Sequence, residues 1–241
     1  MRGTEGVQFA RNYLHEAGPE FTESRQGELV QRMFELMEEQ YAQRRQLGRG
    51  KAGEVWIGTV PEFNGKLCVK TNHTPDMATN SAASEFNMQE RFYNSGVRVP
   101  RPVMYLERDG EAFPSSLIVM EAITGKTLEE TILLREQSGT PFSREEYERI
   151  IVELQRQIAE AHARNLIHRD LHPRNVMLDT ENAPLIIDFG DATQSLSSEG
   201  DDVYRQEVVR NGRLVNVVFP RDEDVISEFA RMVRSRKLVT A

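Results

Sequence analysis

Residues 168–175 read His-Arg-Asp-Leu-His-Pro-Arg-Asn, and thirteen residues after that asparagine comes Asp188-Phe189-Gly190. The two stretches supply an acid, an amide and a second acid, namely Asp170, Asn175 and Asp188. The Asp170 carboxylate is expected to accept a proton from a hydroxyl nucleophile. Side-chain oxygens such as those of Asn175 and Asp188 are the ligands that Mg²⁺ prefers beside nucleotide phosphates. The two motifs therefore predict phosphate-transfer chemistry.

A glycine-rich stretch lies upstream of these motifs. Residues 48–55, Gly-Arg-Gly-Lys-Ala-Gly-Glu-Val, fit G-x-G-x-x-G-x-V at every fixed position. Glycines let a tight loop approach phosphates closely enough for backbone N–H groups to face them. The pattern alone is weak, because an ordinary glycine hairpin also produces it. Here Lys70 follows fifteen residues after Val55, at the end of the apolar run 67–69. A lysine in that place is expected to bind the α- and β-phosphates.

These motifs occur in the order and spacing of the protein-kinase-like superfamily, which residues 47–191 resemble. The resemblance implies an α+β, bilobal protein-kinase-like fold with a small β-rich N-lobe and a truncated, mostly helical C-lobe. It implies ATP as phosphate donor and Mg²⁺ as the metal, held by Asn175 and Asp188. The implied catalytic residues are Asp170, Lys70 and Glu85. The implied nucleotide-binding residues are Gly48, Gly50, Gly53, Val55, Lys70, Met120, Glu121 and Ile123.

A lysine in this role needs a carboxylate partner. The predicted helix 81–94 offers Glu85 and Glu90. Glu85, Phe86 and the downstream stretch 96–102, Gly-Val-Arg-Val-Pro-Arg-Pro, are similar to RIO-type kinases. In those enzymes the glutamate of the equivalent helix stands at the position of Glu85. We therefore prefer Glu85 and keep Glu90 as the alternative.

The apolar run 117–120, followed by Glu121, predicts a buried strand. By the same resemblance, Met120 stands at the back of an adenine pocket. The backbone of Glu121 and Ile123 is then expected to meet the adenine edge. The alternative is a core strand without ligand contact, and the two interpretations are compatible.

The chain divides into three predicted parts: a helical N-terminal extension (1–46), a kinase N-lobe (47–123) and a minimal C-lobe (124–241). Within residues 28–43, apolar side chains recur at helical spacing. They are Val30, Met33, Phe34, Met37 and Tyr41. This stripe is expected to pack onto the catalytic domain. A docking helix for a partner is the alternative.

Local signals predict several further elements. Thr127-x-x-Glu130 and Ser143-x-x-Glu146 are capping boxes, each opening a helix. The second helix has an apolar face, which consists of Tyr147, Ile150, Ile151, Leu154, Ile158 and Ala161. Residues 176–178 and 185–187 predict a hairpin that presents Asn175 and Asp188 on the same side.

The last part of the chain is less determined. Asn211-Gly212 either caps a helix that starts at Asp201 or turns a hairpin between 208–209 and 214–215. Residues 222–237 predict a closing helix, because acids stand at its start and bases at its end.

Two departures from the kinase pattern matter. His172 stands where a Ser/Thr protein kinase usually has a lysine that touches the transferring phosphate, and Arg174 or Lys51 is the candidate substitute. His172 itself is expected to be a structural hydrogen-bonding residue, because Asp170 already serves as the base. The chain also lacks an Ala-Pro-Glu motif, so Arg169 is not expected to bind an activation-loop phosphate. We expect a site that is constitutively assembled or completed by a partner.

Composition narrows the classes of partner and location. The formal net charge of −8 argues against nucleic acid as a partner, because phosphate backbones are bound mainly by basic patches. One cysteine, Cys68, excludes an internal disulfide and fits a reducing compartment. No apolar run approaches the ~18 residues of a membrane span, and the N-terminus lacks a signal-peptide pattern. We expect a cytoplasmic protein, or one delivered into a host cytosol like some minimal bacterial effector kinases.

Three functions compete. The first is a Ser/Thr protein kinase, which Arg169 and the intact Asp188-Phe189-Gly190 favour. The second is a small-molecule kinase of the aminoglycoside or choline type, whose loop Asp-Leu-His-Pro-x-Asn is similar to residues 170–175. The third is a pseudokinase binding module, which normally lacks one of Lys70, Asp170 and Asp188. All three are present.

Overall fold

The computed structural model describes residues 7–9, 28, 30–31, 46–49, 53–60, 65–72, 82–107, 116–195, 204–210 and 213–240. These residues form two compact units. The first consists of the described residues up to Glu90 and of Pro100–Ile123. The second consists of Arg91–Val99 and of the described residues from Thr124 onward. The combination of sheets and helices confirms the predicted α+β class.

A six-stranded antiparallel sheet forms most of the first unit. Its strands are β1 (Val7–Phe9), β2 (Gln46–Arg49), β3 (Gly53–Val60), β4 (Gly65–Asn72), β5 (Pro102–Glu107) and β6 (Ser116–Glu121). They lie in the order β1-β5-β6-β4-β3-β2. The core that they share with helix α1 (Ala82–Asn94) includes Trp56, Val69, Phe86, Met104 and Val119.

The prediction of a helical extension over residues 1–46 does not hold for Val7–Phe9, which form the strand β1. Val7–Phe9 pair antiparallel with residues 104–106 of β5 and so form an edge strand. Without β1, β5 would be the edge strand, and the backbone groups along its outer side would be unpaired. β1 supplies partners for them. Glu28, Val30 and Gln31 are helical, as predicted, and Val30 is buried in the core of the first unit. The other residues of the predicted apolar stripe lie outside the described part of the chain.

Helices dominate the second unit. They are the end of α1, α2 (Leu128–Ser138), α3 (Arg144–His162) and α4 (Asp224–Ser235). Between them lie the short strands β7 (Lys126–Thr127), β8 (Leu166–Ile167), β9 (Val176–Leu178), β10 (Pro184–Ile186) and β11 (Thr193–Gln194). A separate hairpin follows, made of β12 (Arg205–Arg210) and β13 (Arg213–Val218). None of the described helices combines the length and apolar character that a membrane crossing requires.

Both helices that were predicted from capping boxes are present. At the start of α2 the box is complete, because Glu130 N donates to Thr127 Oγ1 and Thr127 N donates to the Glu130 carboxylate. At the start of α3 only half of the box forms. Glu146 N donates to Ser143 Oγ, but the Glu146 carboxylate pairs with Arg135 of α2 instead of reaching back. The apolar stripe of α3 is buried at Ile150, Leu154, Ile158 and Ala161.

The predicted hairpin around residue 181 is present as β9 and β10, with its second strand one residue earlier than predicted. The structure also decides the open alternative at Asn211-Gly212. Arg210 pairs with Arg213, so this part of the chain is a hairpin and not the end of a helix. The closing helix begins at Asp224, two residues later than predicted. Asp222 lies in the turn before this helix, and its carboxylate accepts a hydrogen bond from His168 N.

Residues 91–99, which were predicted to belong to the N-lobe, pack within the second unit. Phe92 lies against Phe189, with ring centroids 5.0 Å apart. Arg98 forms an ion pair with Asp179 at 2.7 Å and accepts a backbone hydrogen bond from Ile186 N. An aromatic contact and an ion pair with the β9–β10 hairpin therefore join this segment to the second unit.

Two glycines of the second unit provide a matched test of this packing. At Gly125 an added Cβ would lie 2.0 Å from the backbone carbonyl oxygen of Leu178, next to the β7–β9 pairing. At Gly139, the left-handed C-cap of α2, an added Cβ would meet no atom within 4 Å. We expect Gly125→Ala to lower the free energy of unfolding by about 3 kcal/mol, because the strands must separate. Gly139→Ala is expected to cost about 1 kcal/mol, through its positive φ alone.

Urea denaturation of both variants beside the wild type measures the difference. Equal losses in the two variants would contradict the close approach of Gly125 to β9.

Candidate active site

The lysine predicted to bind phosphates lies on a defined face of the first unit's sheet. Along β4, Leu67, Val69 and Thr71 are buried, whereas Cys68 and Lys70 alternate with them on the opposite face. Lys70 is the cross-strand partner of Val55, and Cys68 is the cross-strand partner of Met120. Directly paired residues share one face of a sheet. The structure therefore brings together Val55, Lys70 and Met120, three of the predicted nucleotide-binding residues.

The partner of the lysine is Glu85. Lys70 Nζ lies 2.6 Å from Glu85 Oε1, and the two side chains are only 15% and 5% exposed. Glu85 stands in the first turn of α1, where the helix dipole favours a carboxylate. Glu90 is five residues further, which places it about 140° around the helix axis. This rotation explains why the ion pair forms with Glu85 and not with the alternative.

The glycine-rich stretch is described on both sides of its turn. Gly48 lies in β2 and pairs with Val55, and Gly53 is the first residue of β3. The β2–β3 register shifts between Gln46 and Gly48, which is an irregularity of the kind that bends a strand pair. Gly50 lies outside the described residues. The stretch therefore connects two antiparallel strands, as a phosphate-covering loop requires.

The predicted adenine-facing residues lie at the end of β6, which includes Met120 and Glu121, and just after it, at Ile123. The side chain of Met120 is partly buried and packs against the core of the first unit. Gln89 Nε2 donates a hydrogen bond to Met120 Sδ at 3.5 Å. Glu121 N donates to Arg101 O, and Ala122 N donates to Lys66 O. These two bonds anchor the backbone at Glu121 and Ala122. The strand is thus both a core strand and an anchored backbone edge.

In the second unit, an amide holds the predicted base. Asn175 Nδ2 donates to Asp170 O at 2.9 Å and to Asp170 Oδ2 at 3.1 Å. The two donations orient the carboxylate of Asp170. Both use Nδ2 of Asn175, so the side-chain oxygen of Asn175 is the atom of this amide that can bind a cation. Asn175 is buried, whereas Asp170 is partly exposed. A fixed amide therefore holds a carboxylate that solvent or a substrate can still reach.

Asp188 follows directly on the strand that pairs beside Asn175. Ile187 N donates to Asn175 O at 2.9 Å, which continues the β9–β10 register to the end of the hairpin. Asp188 has a φ of 67°, and Arg169 has a φ of 68°. Non-glycine residues rarely adopt this left-handed conformation, and it often marks functional sites. The hairpin thus brings the amide and the second acid into one region, as predicted.

Electrostatics around Asp170 favour proton acceptance. Burial raises the pKa of the Asp170 carboxyl above its ordinary value. His172 and His168 oppose the rise, while the negative charges of Asp191 and Asp188 add to it. A carboxylate with a raised pKa accepts a proton more readily. The same grouping of acids is a place where a cation would be stabilised.

The donor set fits magnesium. Among the described residues, no three His, Cys, Asp or Glu side chains are grouped closely enough to hold a metal by themselves. Mg²⁺ is usually bound by one or two protein oxygens together with substrate phosphates and water, not by a cage of protein ligands. One carboxylate and one amide oxygen, from Asp188 and Asn175, match that preference. A bound metal there would be completed by the nucleotide.

Sequence reasoning missed the residue that holds the loop backbone, Asp222. Its carboxylate accepts from His168 N and from Arg169 N, each at 2.8 Å, and is 3% exposed. In the sequence, Asp222 is one of several acids at the start of a predicted helix. The helix dipole already explains an acid at that position, so no further role was predicted for Asp222. An acid that begins a helix does not show which distant backbone it binds.

His162 completes this anchor. Its Nε2 lies 3.1 Å from Asp222 Oδ2, and its Nδ1 lies 3.3 Å from Glu223 Oε1. The hydrogen bond to Asp222 raises the pKa of the imidazole, although partial burial opposes the rise. Because the pKa of His162 is raised in the folded protein, the protonated imidazole stabilises the fold. This contribution to the free energy of unfolding is complete below the ordinary histidine pKa and is lost as the pH rises through the raised value.

Aromatic contacts support the loop from the other side. Phe189 lies 5.0 Å from the ring of Phe92 and 5.2 Å from the ring of His168. His168 Nε2 is 3.0 Å from Ile187 O, a hydrogen-bond distance to the strand that precedes Asp188. The guanidinium of Arg169 lies over the Phe219 ring, 5.0 Å from its centroid. Burial lowers the pKa of Arg169, and the charges of Asp191 and Asp222 oppose that change.

Curated relatives of the chain share part of its length. Serine/threonine-protein kinase PkaB of Streptomyces coelicolor is 32% identical over 154 residues, covering 60% of this chain and 34% of that protein. Serine/threonine-protein kinase D of Synechocystis sp. is 24% identical over 163 residues, covering 63% and 30%. Serine/threonine-protein kinase pkn2 of Myxococcus xanthus is 29% identical over 167 residues, covering 65% and 19%. The chain thus spans about a third or less of the relatives it matches.

A family model described as protein kinase domain matches residues 41–211. The match covers well over half of the chain and includes the glycine-rich stretch, the Lys70–Glu85 pair, the loop at Asp170 and the strand before Asp188. The chain therefore belongs to the protein kinase domain family.

Proposed function

We propose that this protein transfers the γ-phosphoryl group of ATP, with Mg²⁺, to serine and threonine hydroxyls of other proteins. The observation that carries the proposal is the double donation from Asn175 Nδ2 to Asp170. It orients a carboxylate of raised pKa, while the backbone of the same asparagine is bonded to the strand that leads into Asp188. A proton acceptor and two metal ligands are what phosphoryl transfer needs from this part of the protein.

The nucleotide is assigned to residues of the first unit. Lys70, held by Glu85, binds the α- and β-phosphates, and the glycine-rich stretch with Gly48, Gly50 and Gly53 covers them. The 2.6 Å ion pair supports this assignment, because it presents an ordered ammonium group beside Val55. Met120 contacts the adenine, and the backbone of Glu121 and Ile123 binds its edge. The anchored course of this backbone supports that part of the assignment.

In the proposed reaction, the protein itself gains only a proton, and the other bond changes occur in the acceptor and in ATP. The acceptor hydroxyl loses its proton to Asp170 while its oxygen forms a bond to the γ-phosphorus. The bond from that phosphorus to the β–γ bridging oxygen breaks, and its electron pair remains on ADP. Mg²⁺ held by Asn175 and Asp188 would offset the negative charge on the phosphate oxygens. Catalysis of this type consists mainly of positioning and electrostatic stabilisation.

Proteins are the proposed acceptors because the curated relatives are named serine/threonine-protein kinases. The small-molecule alternative is favoured by the loop 170–175, which includes His172-Pro173, whereas none of these three relatives is named a small-molecule kinase. The stacking of Arg169 on Phe219 supports the prediction of a loop that is assembled without an activation-loop phosphate. The bilobal arrangement with a truncated C-lobe, the likeness to RIO-type kinases, the partner at the N-terminal helix and the cytoplasmic location stay predictions.

A phosphotransfer assay tests the function. The purified chain is incubated with Mg²⁺, γ-labelled ATP and casein, histone or myelin basic protein, and phosphoamino acids are then identified. We expect label on serine or threonine, and its loss when EDTA removes the metal. Asp188→Asn is expected to lower the rate about 1000-fold, because the negative charge of the ligand that would hold the metal is lost. The matched control is Asp179→Asn, in the same hairpin, whose Oδ1 caps the turn through Glu181 N and Ala183 N.

Transfer by Asp188→Asn at the wild-type rate would contradict the assignment of that residue. Absence of label from every protein acceptor, with label appearing on a small hydroxylated compound, would favour the small-molecule alternative.

The ion pair offers a second test. Lys70→Met is expected to lower kcat/KM for ATP about 100-fold. Glu85→Gln, which removes only the charge that holds the lysine, is expected to lower it about ten-fold. Glu90→Gln is the control, because Glu90 lies on the same helix and was the alternative partner; it should leave kcat/KM for ATP unchanged. Steady-state kinetics at varied ATP concentration give all three values. Equal effects at Glu85 and Glu90 would argue against the pairing.

The anchor of the loop offers a third test. Asp222→Asn replaces one accepting oxygen by a donor that faces a backbone N–H, so a buried N–H loses its partner. We expect a loss of about 3 kcal/mol in the free energy of unfolding, and a reduced transfer rate. Glu223→Gln is the control, because the Glu223 side chain is 57% exposed and its carboxylate contacts the same histidine, with Oε1 3.3 Å from His162 Nδ1. Urea denaturation and the labelled-ATP assay measure the two effects. An Asp222→Asn variant as stable as Glu223→Gln would refute the anchoring role.

A further inference from the structure

His172 lies two residues after Asp170, and its ring has a defined orientation. Arg174 N donates to His172 Nδ1 at 3.2 Å. A neutral imidazole carries one proton, and a nitrogen that accepts a hydrogen bond is the unprotonated one. The proton of the neutral ring is therefore on Nε2. The turn of the loop thus decides which nitrogen of His172 is the donor.

That donor faces the carboxylate of the proposed base. His172 Nε2 lies 3.7 Å from Asp170 Oδ2, and the two side chains are 33% and 40% exposed. This distance is too long for a direct hydrogen bond. It is short enough for one oxygen atom to lie within hydrogen-bond distance of both groups. Such an oxygen would give a proton to Asp170 and accept one from His172.

The neighbouring cation, Arg174, pairs with a different carboxylate. Arg174 Nε lies 3.0 Å from Glu129 Oε2 of α2. Glu129 N also donates to Pro173 O at 3.1 Å, so the loop is joined to α2 by backbone and side chain together. The charge of Arg174 is thereby directed to Glu129. Of the two, His172 is the one whose donor faces Asp170.

We propose that His172 is a catalytic residue, which donates a hydrogen bond from Nε2 to the acceptor hydroxyl while that hydroxyl is bound to Asp170. The proposal rests on the proposed phosphotransferase function and goes beyond the expectation that His172 is a structural hydrogen-bonding residue. The hydroxyl proton points to Asp170, and one oxygen lone pair accepts from His172. The second lone pair then faces the γ-phosphorus. Orienting a nucleophile in this way is a large part of catalysis by positioning.

In the step itself, the hydroxyl O–H bond breaks and its proton moves to Asp170. An O–P bond forms to the γ-phosphoryl group, and the bond to ADP breaks with its electron pair. His172 keeps its own proton throughout. No oxidant, reductant or further reactant is involved.

Two substitutions separate the donor from the turn. An asparagine side chain can accept from the backbone N–H two residues on, as His172 Nδ1 does, but has no group that reaches the Nε2 position. A glutamine side chain can place an N–H donor near that position. We therefore expect His172→Asn to lower kcat roughly ten-fold with the best protein acceptor of the panel above. His172→Gln is expected to be at least three-fold faster than His172→Asn, within about three-fold of the wild type.

The KM for ATP, the midpoint of thermal unfolding and the binding of a fluorescent ATP analogue should be the same in both variants and the wild type. A structural role alone would change the unfolding midpoint and would favour asparagine over glutamine. A His172→Gln variant no faster than His172→Asn overturns the proposal, whatever the absolute rates. A wild-type chain that transfers no phosphate overturns the proposed function and this inference with it. Full activity in His172→Asn overturns the inference alone.

Discussion

The backbone of the loop that carries Asp170 is held by one buried carboxylate, that of Asp222. Two successive N–H groups, of His168 and Arg169, donate to its two oxygens. A buried N–H without a partner costs as much as a lost hydrogen bond, and charge-assisted bonds are among the stronger ones. The left-handed φ of Arg169 is compatible with this arrangement, because the loop is bound on both sides of the strained residue. The position of Asp170 therefore depends on an interaction across more than fifty residues.

The second unit surrounds this anchor with further fixed contacts. Phe189 packs between Phe92 and His168, and the β9–β10 hairpin is bonded to Arg98. Asn175 connects the loop that carries Asp170 to the β9–β10 hairpin. Its side chain donates to Asp170, and its backbone carbonyl accepts from Ile187 N. Groups intended for catalysis act best when they are held before substrate binds. The loop meets that condition through backbone bonds and packing rather than through many charges.

The first unit follows a different principle, in which local periodicity is enough. The period of two along β4 places Lys70 opposite the buried face, and antiparallel pairing places Val55 beside it. Helix geometry then selects Glu85, because a residue five positions away points elsewhere. For this reason the predicted strand, helix, lysine and glutamate all agree with the observed geometry. Their roles toward a nucleotide stay proposals.

The sequence by itself determined the secondary structure around each motif, because hydrophobic period, capping residues and turn residues act over a few positions. It predicted α1, α2, α3, the β9–β10 hairpin and the residues Lys70, Asp170, Asn175 and Asp188. Only the tertiary structure decided which distant groups meet. It showed the Asp222 anchor, the edge strand β1, the diversion of Glu146 to Arg135 and the orientation of His172. Such contacts depend on which backbone groups are left unpaired after folding, and no local pattern in the chain encodes that.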